Sequence, residues 1–145
     1  MKRFGNKEDA TRYFVHCIQH DKPYWAEHED DPIIQTIMGS LARLATLVTL
    51  IKRFVRRGNQ PVEILEIGSF CGASAVSMAK AIQRYQQGCG RITCIDPWAW
   101  TERKPAIPAA KFFDAQGRDI AEYTYEDMFR HNVRACGVDD IITPI

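Results

Sequence analysis

Apolar residues occur along the chain in two patterns, short continuous runs and longer stretches at helical spacing. Continuous runs at 62–67, 91–96 and 139–145 predict three buried strands, since a strand covered on both faces is apolar throughout. Helical spacing follows the first run over 72–86 and recurs over 123–135. Strands that alternate with helices through right-handed crossovers form a parallel sheet. We therefore expect an α/β, Rossmann-like fold, a parallel sheet with helices on both faces.

The amino-terminal part of the chain predicts helices. Residues 7–20 have an amphipathic helical pattern, and the acidic, proline-containing stretch 21–31 indicates a loop. A long apolar helix is expected to begin at Pro32, with Asp31 as its cap, and to end at Gly58. Its apolar positions cover more than one face, so we expect it to pack against the sheet and against a second element.

The domain organisation follows from the small number of strands. Three strands are few for a sheet of this class, and no crossover helix follows the last of them. We therefore expect an N-terminal helical segment over 1–60 and, over 61–145, the first half of a larger domain, truncated after its third strand. Residues 97–122 form a long irregular segment, and such a segment usually carries function when it occurs in a compact domain.

Composition argues against several classes of function. The net charge of +1 provides no overall field for nucleic acid or an anionic membrane. The five cysteines are an odd number without CxxC spacing, so a disulfide framework or zinc site is not expected, and Cys71 is expected to be a small buried side chain. The amino terminus lacks the apolar core of a signal peptide, and polar residues interrupt the apolar stretch 33–55. We expect a cytoplasmic protein.

Histidines show no metal-binding pattern. His16 and His20 lie four residues apart on the first predicted helix, but no carboxylate accompanies them at helical spacing. His131 is expected on the exposed face of the helix at 123–135. No metal ligand is therefore assigned.

Two acids are expected to meet at one edge of the sheet. Glu66 and Asp96 stand at the carboxyl ends of the first two strands, and Gly68 permits a sharp turn and a close ligand approach. The helix that follows this turn presents its amino terminus to the same edge, where α/β sheets hold nucleotide-like ligands. Asp96 is suited to accept hydrogen bonds from both hydroxyls of a ribose, and Glu66 can face an ammonium group. Alternatively, either carboxylate accepts hydrogen bonds from loop amides.

Three ordered segments resemble one enzyme family. EIGSFCGASAVSMAKAI resembles motif I of class I S-adenosylmethionine-dependent methyltransferases, in particular the small-molecule O-methyltransferases of the catechol O-methyltransferase type. CIDPW resembles motif II of a related group that methylates sugars and natural products, and EDMFRHNVRACGVDDIITPI resembles the helix and strand that follow it. The resemblance covers residues 62–145.

The resemblance implies a role for each residue around the first turn. Glu66 and Gly68 would line the methionine part of S-adenosylmethionine. Ser69 and Phe70 would contact it through the turn backbone, and Ser74 would hold its carboxylate.

The resemblance also implies roles around the second strand and at the start of the helix. Asp96 would bind the ribose, with Pro97 and Trp98 beside the adenine, and Gly72 would permit close packing of helix on strand. Trp98 could instead be a loop aromatic that seals the edge of the sheet.

The resemblance implies transfer of the methyl group of S-adenosylmethionine to a hydroxyl oxygen of a small molecule or sugar. A divalent metal, where such enzymes use one, is bound by acids beyond the third strand, so no catalytic residue and no metal ligand is named here. The long segment 97–122 and the amino-terminal helices are candidates for shaping the site of the small-molecule acceptor.

Two other classes of function stay open. An NAD-linked oxidoreductase would use the same edge of the sheet, but its GxGxxG signature is absent, because Ser69 and Phe70 follow Gly68. A non-catalytic module would bind S-adenosylmethionine or a partner chain, or form a homodimer, through the uncovered third strand.

Overall fold

A computed structural model describes residues 2–4, 7–24, 26–28, 41–55, 60–98, 117–119 and 123–145 of the chain. The helices and strands are, in chain order, β1 (Lys2–Phe4), α1 (Lys7–Gln19), β2 (Ala26–His28), α2 (Leu41–Val55), β3 (Val62–Ile67), α3 (Ala73–Gln86), β4 (Gly90–Ile95), α4 (Tyr125–Ala135) and β5 (Ile142–Pro144).

The main sheet has three parallel strands in the order β3-β4-β5. Val62 pairs with Gly90 at the start of β3, and Ile92 pairs with Ile142 across β4 and β5. The predicted α/β, Rossmann-like fold is thereby confirmed, while the helices expected on the second face of the sheet are not found among the described residues. Because consecutive strands are neighbours, right-handed crossovers place α3 and α4 on the same face of the sheet. Ile92 and Cys94, both fully buried, lie on the face that these helices cover.

The opposite face of the main sheet is apolar and exposed among the described residues. Burial alternates along β3, and Leu65 and Ile67 are 61% and 78% exposed. Ile67 pairs with Ile95, which is also exposed, so the apolar surface extends across two strands. Strands of parallel sheets are usually buried on both faces.

The helix α4 begins with a sequence-encoded cap. The Thr124 hydroxyl accepts a hydrogen bond from the Asp127 amide, and the Asp127 carboxylate accepts one from the Thr124 amide. This reciprocal pair satisfies backbone donors that the first turn of a helix leaves unpaired. Arg118 donates to the same carboxylate at 2.6 Å and holds it in place. The cap fixes where α4 starts and so which of its side chains face the sheet.

The amino-terminal part packs against α4 through residues 22–24. Tyr24 is buried and meets Phe14 of α1 edge to face, with ring centroids 5.1 Å apart. The strands β1 and β2 form a separate two-stranded parallel sheet, although the sequence had indicated a loop over 21–31. A short strand of this kind has no apolar run that would predict it.

Predicted element boundaries agree with the structure to within a few residues where both exist. The third strand is shorter than predicted, because residues 139–141 form a turn before β5. The first nine residues of the long helix expected from Pro32, and its end at Gly58, lie outside the described residues. In the described part of the chain, none of the helices has both the length and the hydropathy of a membrane span.

His131 is buried, and its expected exposure is wrong. Its side chain is 3% exposed, and Nε2 donates a hydrogen bond of 2.7 Å to the backbone oxygen of Lys22. Burial lowers the pKa of His131, and the nearby guanidinium of Arg134 adds to this effect. The hydrogen bond to the Lys22 oxygen and, less strongly, the Asp21 carboxylate, 3.9 Å from Nδ1, oppose this lowering of the pKa only in part. The helix pattern did not reveal that the loop after α1 packs on this face.

The lowered pKa of His131 predicts a pH-dependent stability. Protons bind the unfolded chain more readily than the folded one, so the free energy of unfolding should fall as the pH drops below about 6.5, and level off below the lowered folded pKa. The His131→Gln variant keeps a donor for Lys22 but does not titrate. Urea unfolding should show that, between neutral and mildly acidic pH, this variant loses less free energy of unfolding than the wild type.

The control is His20→Gln, at an exposed histidine of the same region, which should keep the wild-type dependence on pH. Equal pH dependence in wild type and the His131→Gln variant would contradict the assignment.

Candidate functional site

The turn between β3 and α3 is unusually tight. Gly68, Phe70 and Gly72 all have positive φ angles, of 82°, 46° and 89°. The Gly68 amide donates to the oxygen of Ile95 at 2.8 Å, and the Gly72 amide donates to the oxygen of Ser69 at 2.8 Å. Glycine tolerates this backbone region without a steric penalty, whereas Phe70 does not. The turn therefore depends on further contacts that hold Phe70 in place.

Asp96 supplies these contacts. One carboxylate oxygen accepts a hydrogen bond from the Phe70 amide and the other accepts one from the Trp98 amide, both at 2.8 Å. The Trp98 indole Nε1 donates to the oxygen of Phe70 at 2.9 Å. The carboxylate and the indole thus join the loop after β3 to the loop after β4. We call these three hydrogen bonds the Asp96 clasp.

A second acid lies on the helix-covered face of the sheet. Glu66 accepts a hydrogen bond from the Ser74 hydroxyl, and its other oxygen lies 3.6 Å from the Cys94 sulfur. Burial raises the pKa of Cys94 to about 12, so the thiol is neutral and can donate to the carboxylate. The hydroxyl of Ser74 is therefore directed at Glu66.

The amino terminus of α3 faces a small cleft beside these acids. Its cap residue, Gly72, offers no side-chain acceptor, and the first turn contains no acid, so this end of the helix dipole is not neutralised from within. The Ser69 hydroxyl is buried with no hydrogen-bond partner apart from a weak approach to the Cys94 thiol. Arg43 of α2 also lines this cleft of ≈ 20 Å³. These groups together favour an anion.

The helix α4 supports the turn from beneath. The buried Asn132 side chain donates to the oxygen of Cys71 at 3.1 Å and accepts from the Tyr24 amide at 2.8 Å. The Phe129 ring lies against Gly72, where an added Cβ would meet it at 3.1 Å. Trp98 packs against the same ring in a tilted arrangement, with centroids 5.2 Å apart.

The structure brings the candidate residues together at the carboxyl edge of β3 and β4. They lie at the end of β3, in the two loops and in the first turn of α3: Glu66, Gly68, Ser69, Phe70, Gly72, Ser74, Asp96, Pro97 and Trp98. Trp98 is 5% exposed and bonded to Phe70, which is the arrangement of an aromatic that seals the edge. Asp96 accepts hydrogen bonds from loop amides, which was the alternative to a ribose contact. The individual ligand-binding roles of these residues stay predictions.

Two residues of the site were not singled out from the sequence. Arg43 lies on a helix whose position relative to the turn is set by tertiary packing. Asn132 stands between Phe129 and Val133 on the apolar face of α4, and a polar residue at such a position is the signal that could have found it. Among the described residues no group of three potential metal ligands comes together. Burial raises the pKa of Cys71, as expected of an inert thiol.

The comparison with protein families finds one match at this site. A family model described as a methyltransferase domain matches residues 65–143, more than half of the chain. The matched region begins within β3 and ends within β5, so it contains both loops of the candidate site. The comparison with curated proteins finds no match.

The contact between Gly72 and Phe129 yields a prediction. Gly88 has nearly the same φ, 81°, but nothing within 4 Å of an added Cβ. The Gly88→Ala variant should lose about 1–2 kcal/mol of unfolding free energy from backbone strain alone. The Gly72→Ala variant should lose about 1–3 kcal/mol more, because its Cβ presses on the Phe129 ring. Urea unfolding measures both.

The difference between the two variants isolates the steric contact from the backbone strain. Equal losses would show that the turn and α4 are not closely packed.

Proposed function

Because the chain belongs to the methyltransferase domain family, we propose that it binds S-adenosylmethionine at the carboxyl edge of β3 and β4. We further propose that the methyl group is transferred to a hydroxyl oxygen of a small molecule or sugar. The observation that carries this proposal is the Asp96 clasp, which holds a partly exposed carboxylate between two loops at that edge.

Asp96 retains capacity for a ribose. Each carboxylate oxygen has two acceptor positions, and each uses one of them for a loop amide. The remaining positions can accept from the two adjacent hydroxyls of a ribose. The amides fix the orientation of the carboxylate, so little freedom is lost when a ligand binds.

The other end of the ligand would lie at the mouth of the cleft at α3. A free carboxylate would meet the helix terminus, whose first turn contains no acid, and the Arg43 side chain. The buried Ser69 hydroxyl, whose one contact is a weak approach to the Cys94 thiol, is a further donor and favours a polar ligand group here. Glu66 can accept from the ligand ammonium while it holds Ser74. The Ser74 hydroxyl therefore donates to Glu66 in this structure. It would have to rotate in order to donate to the ligand carboxylate instead.

The chain's contribution to the chemistry is to orient the methyl donor. The sulfonium of S-adenosylmethionine supplies a methyl group on a good leaving group, so catalysis depends on holding donor and acceptor in line. The Asp96 clasp and the α3 terminus would fix the two ends of the donor. The proposal assigns no general base to the described residues.

The exposed face of the sheet favours a second candidate function. Leu65 and Ile67 form an apolar surface on a strand that is at the edge of the described sheet. Exposed apolar patches mark interaction sites. A non-catalytic module that binds S-adenosylmethionine and a partner chain would use both this surface and the same ligand site. An association through β5, the third strand of the main sheet, stays a prediction.

A calorimetric titration tests the leading proposal. The chain is titrated separately with S-adenosylmethionine, S-adenosylhomocysteine and NAD. We expect the first two to bind and NAD not to bind. Ser69 and Phe70 follow Gly68, so the second glycine that a pyrophosphate needs for close approach is absent there. Binding of NAD with no response to the other two would contradict the proposal. Binding without methyl transfer to any of a panel of hydroxyl acceptors would favour the non-catalytic module.

The ribose contact is tested with the Asp96→Asn variant. An amide group keeps the size of the carboxylate but replaces one acceptor by a donor. The affinity for S-adenosylhomocysteine should fall about tenfold or more, as expected for a lost charged hydrogen bond. The affinity for an analogue without the two ribose hydroxyls should fall less in this variant, since the substitution affects that analogue only through the distorted clasp. Equal losses for the two ligands would show that Asp96 acts on the loops alone.

A further inference from the structure

Asn132 forms hydrogen bonds with two segments that lie far apart in the sequence. Its oxygen accepts from the Tyr24 amide at 2.8 Å, and its nitrogen donates to the Cys71 oxygen at 3.1 Å. The first contact lies in the amino-terminal part, outside the matched region 65–143, and the second lies in the turn between β3 and α3. Asn132 is fully buried, so water cannot replace either partner.

The amino-terminal contact is not a loose one. Residues 22–24 are held on α4 at two points, because His131 donates to the Lys22 oxygen at 2.7 Å and Asn132 accepts from Tyr24. The Tyr24 ring is 1% exposed and packs edge to face on Phe14. The position of the Tyr24 amide therefore depends on the packing of α1.

The contact at the turn acts on a strained segment. Cys71 stands between Phe70 and Gly72, both of which have positive φ. On one side the Asp96 clasp holds Phe70, and on the other Phe129 closes the space at Gly72. Asn132 holds the peptide between them. A buried carbonyl left without its donor loses a substantial interaction, so the turn would relax if Asn132 were removed.

We propose that Asn132 is a positioning residue that couples the docking of residues 22–24 to the conformation of the ligand-binding turn. Ligand affinity at the turn then depends on the amino-terminal helix α1, although α1 contributes no side chain to the described cleft. The consequence for affinity rests on the proposed function; the effect on the turn itself does not.

The test compares two substitutions on the same helix. Asn132→Leu removes both hydrogen bonds while keeping a similar volume. Val133→Ala removes buried methyl groups from the neighbouring position, away from the turn bonds, and lowers stability by a packing loss alone. Both variants are measured at a temperature where melting curves show them folded.

The first readout is amide hydrogen exchange by NMR. Exchange of the Phe70 and Gly72 amides, which bond to Asp96 and Ser69, should accelerate about tenfold or more in the Asn132→Leu variant relative to the Ile92 amide in the sheet. Val133→Ala should change the exchange rates of all of these amides in the same proportion or not at all. A residue with only a structural role would behave like Val133.

The second readout is the dissociation constant of S-adenosylhomocysteine. It should rise about tenfold for Asn132→Leu and stay at the wild-type value for Val133→Ala. Phe14→Leu loosens the packing of Tyr24 from α1, and should weaken binding in the wild-type background. It should have no further effect in the Asn132→Leu background, because the coupling is already cut.

The outcomes separate the two proposals. If folded Asn132→Leu shows wild-type exchange at Phe70 and Gly72, the positioning role is overturned, whatever the ligand. If Phe14→Leu weakens binding equally in both backgrounds, the coupling through Asn132 is overturned. If the wild-type chain does not bind S-adenosylhomocysteine, the proposed function fails, and the exchange experiment still decides the role of Asn132.

Discussion

The structure depends on one carboxylate that two loops share. Asp96 accepts the amides of Phe70 and Trp98, and these bonds hold Phe70 in a backbone region that its side chain disfavours. Because the strained turn leads directly into α3, the same bonds set the direction of that helix and of its amino terminus, whose first turn contains no acid. A charged acceptor is suited to this task, since hydrogen bonds to a carboxylate are stronger than those to a neutral group. The edge of the sheet is thereby shaped before any ligand arrives.

The site is also supported from below, and this support reaches the amino-terminal part of the chain. The Phe129 ring fills the space under Gly72, and Asn132 holds the adjacent peptide while it accepts the Tyr24 amide. The helix α4 thus supports the turn without lining the described cleft. The described cleft is small, so an extended ligand would lie along the edge between the two acids, Glu66 and Asp96, rather than inside a cavity.

Local pattern was sufficient to predict the strands and helices of residues 62–135, because each carries its own apolar period and its own end signals. It also predicted that Glu66 and Asp96 would share an edge, since parallel strands end on the same side. The sequence could not reveal what depends on packing between distant segments. His131 was expected on the surface, yet the loop after α1 covers it, and Arg43 reaches the cleft only through the position of α2. The exposure of the sheet face that contains Leu65 could not be predicted either, because its apolar residues are typical of a strand that is covered on both faces.

The most direct measurement of the central claim is a map of backbone amide shifts when S-adenosylhomocysteine is added to the isotope-labelled chain. The account expects the largest changes at residues 68–74 and 96–98, the two loops joined by Asp96. Residues 86–90, at the opposite edge of the sheet, should not change. Changes centred on the groove between α2 and β3, or at 86–90 with none in the two loops, would contradict the claim that this edge holds the ligand.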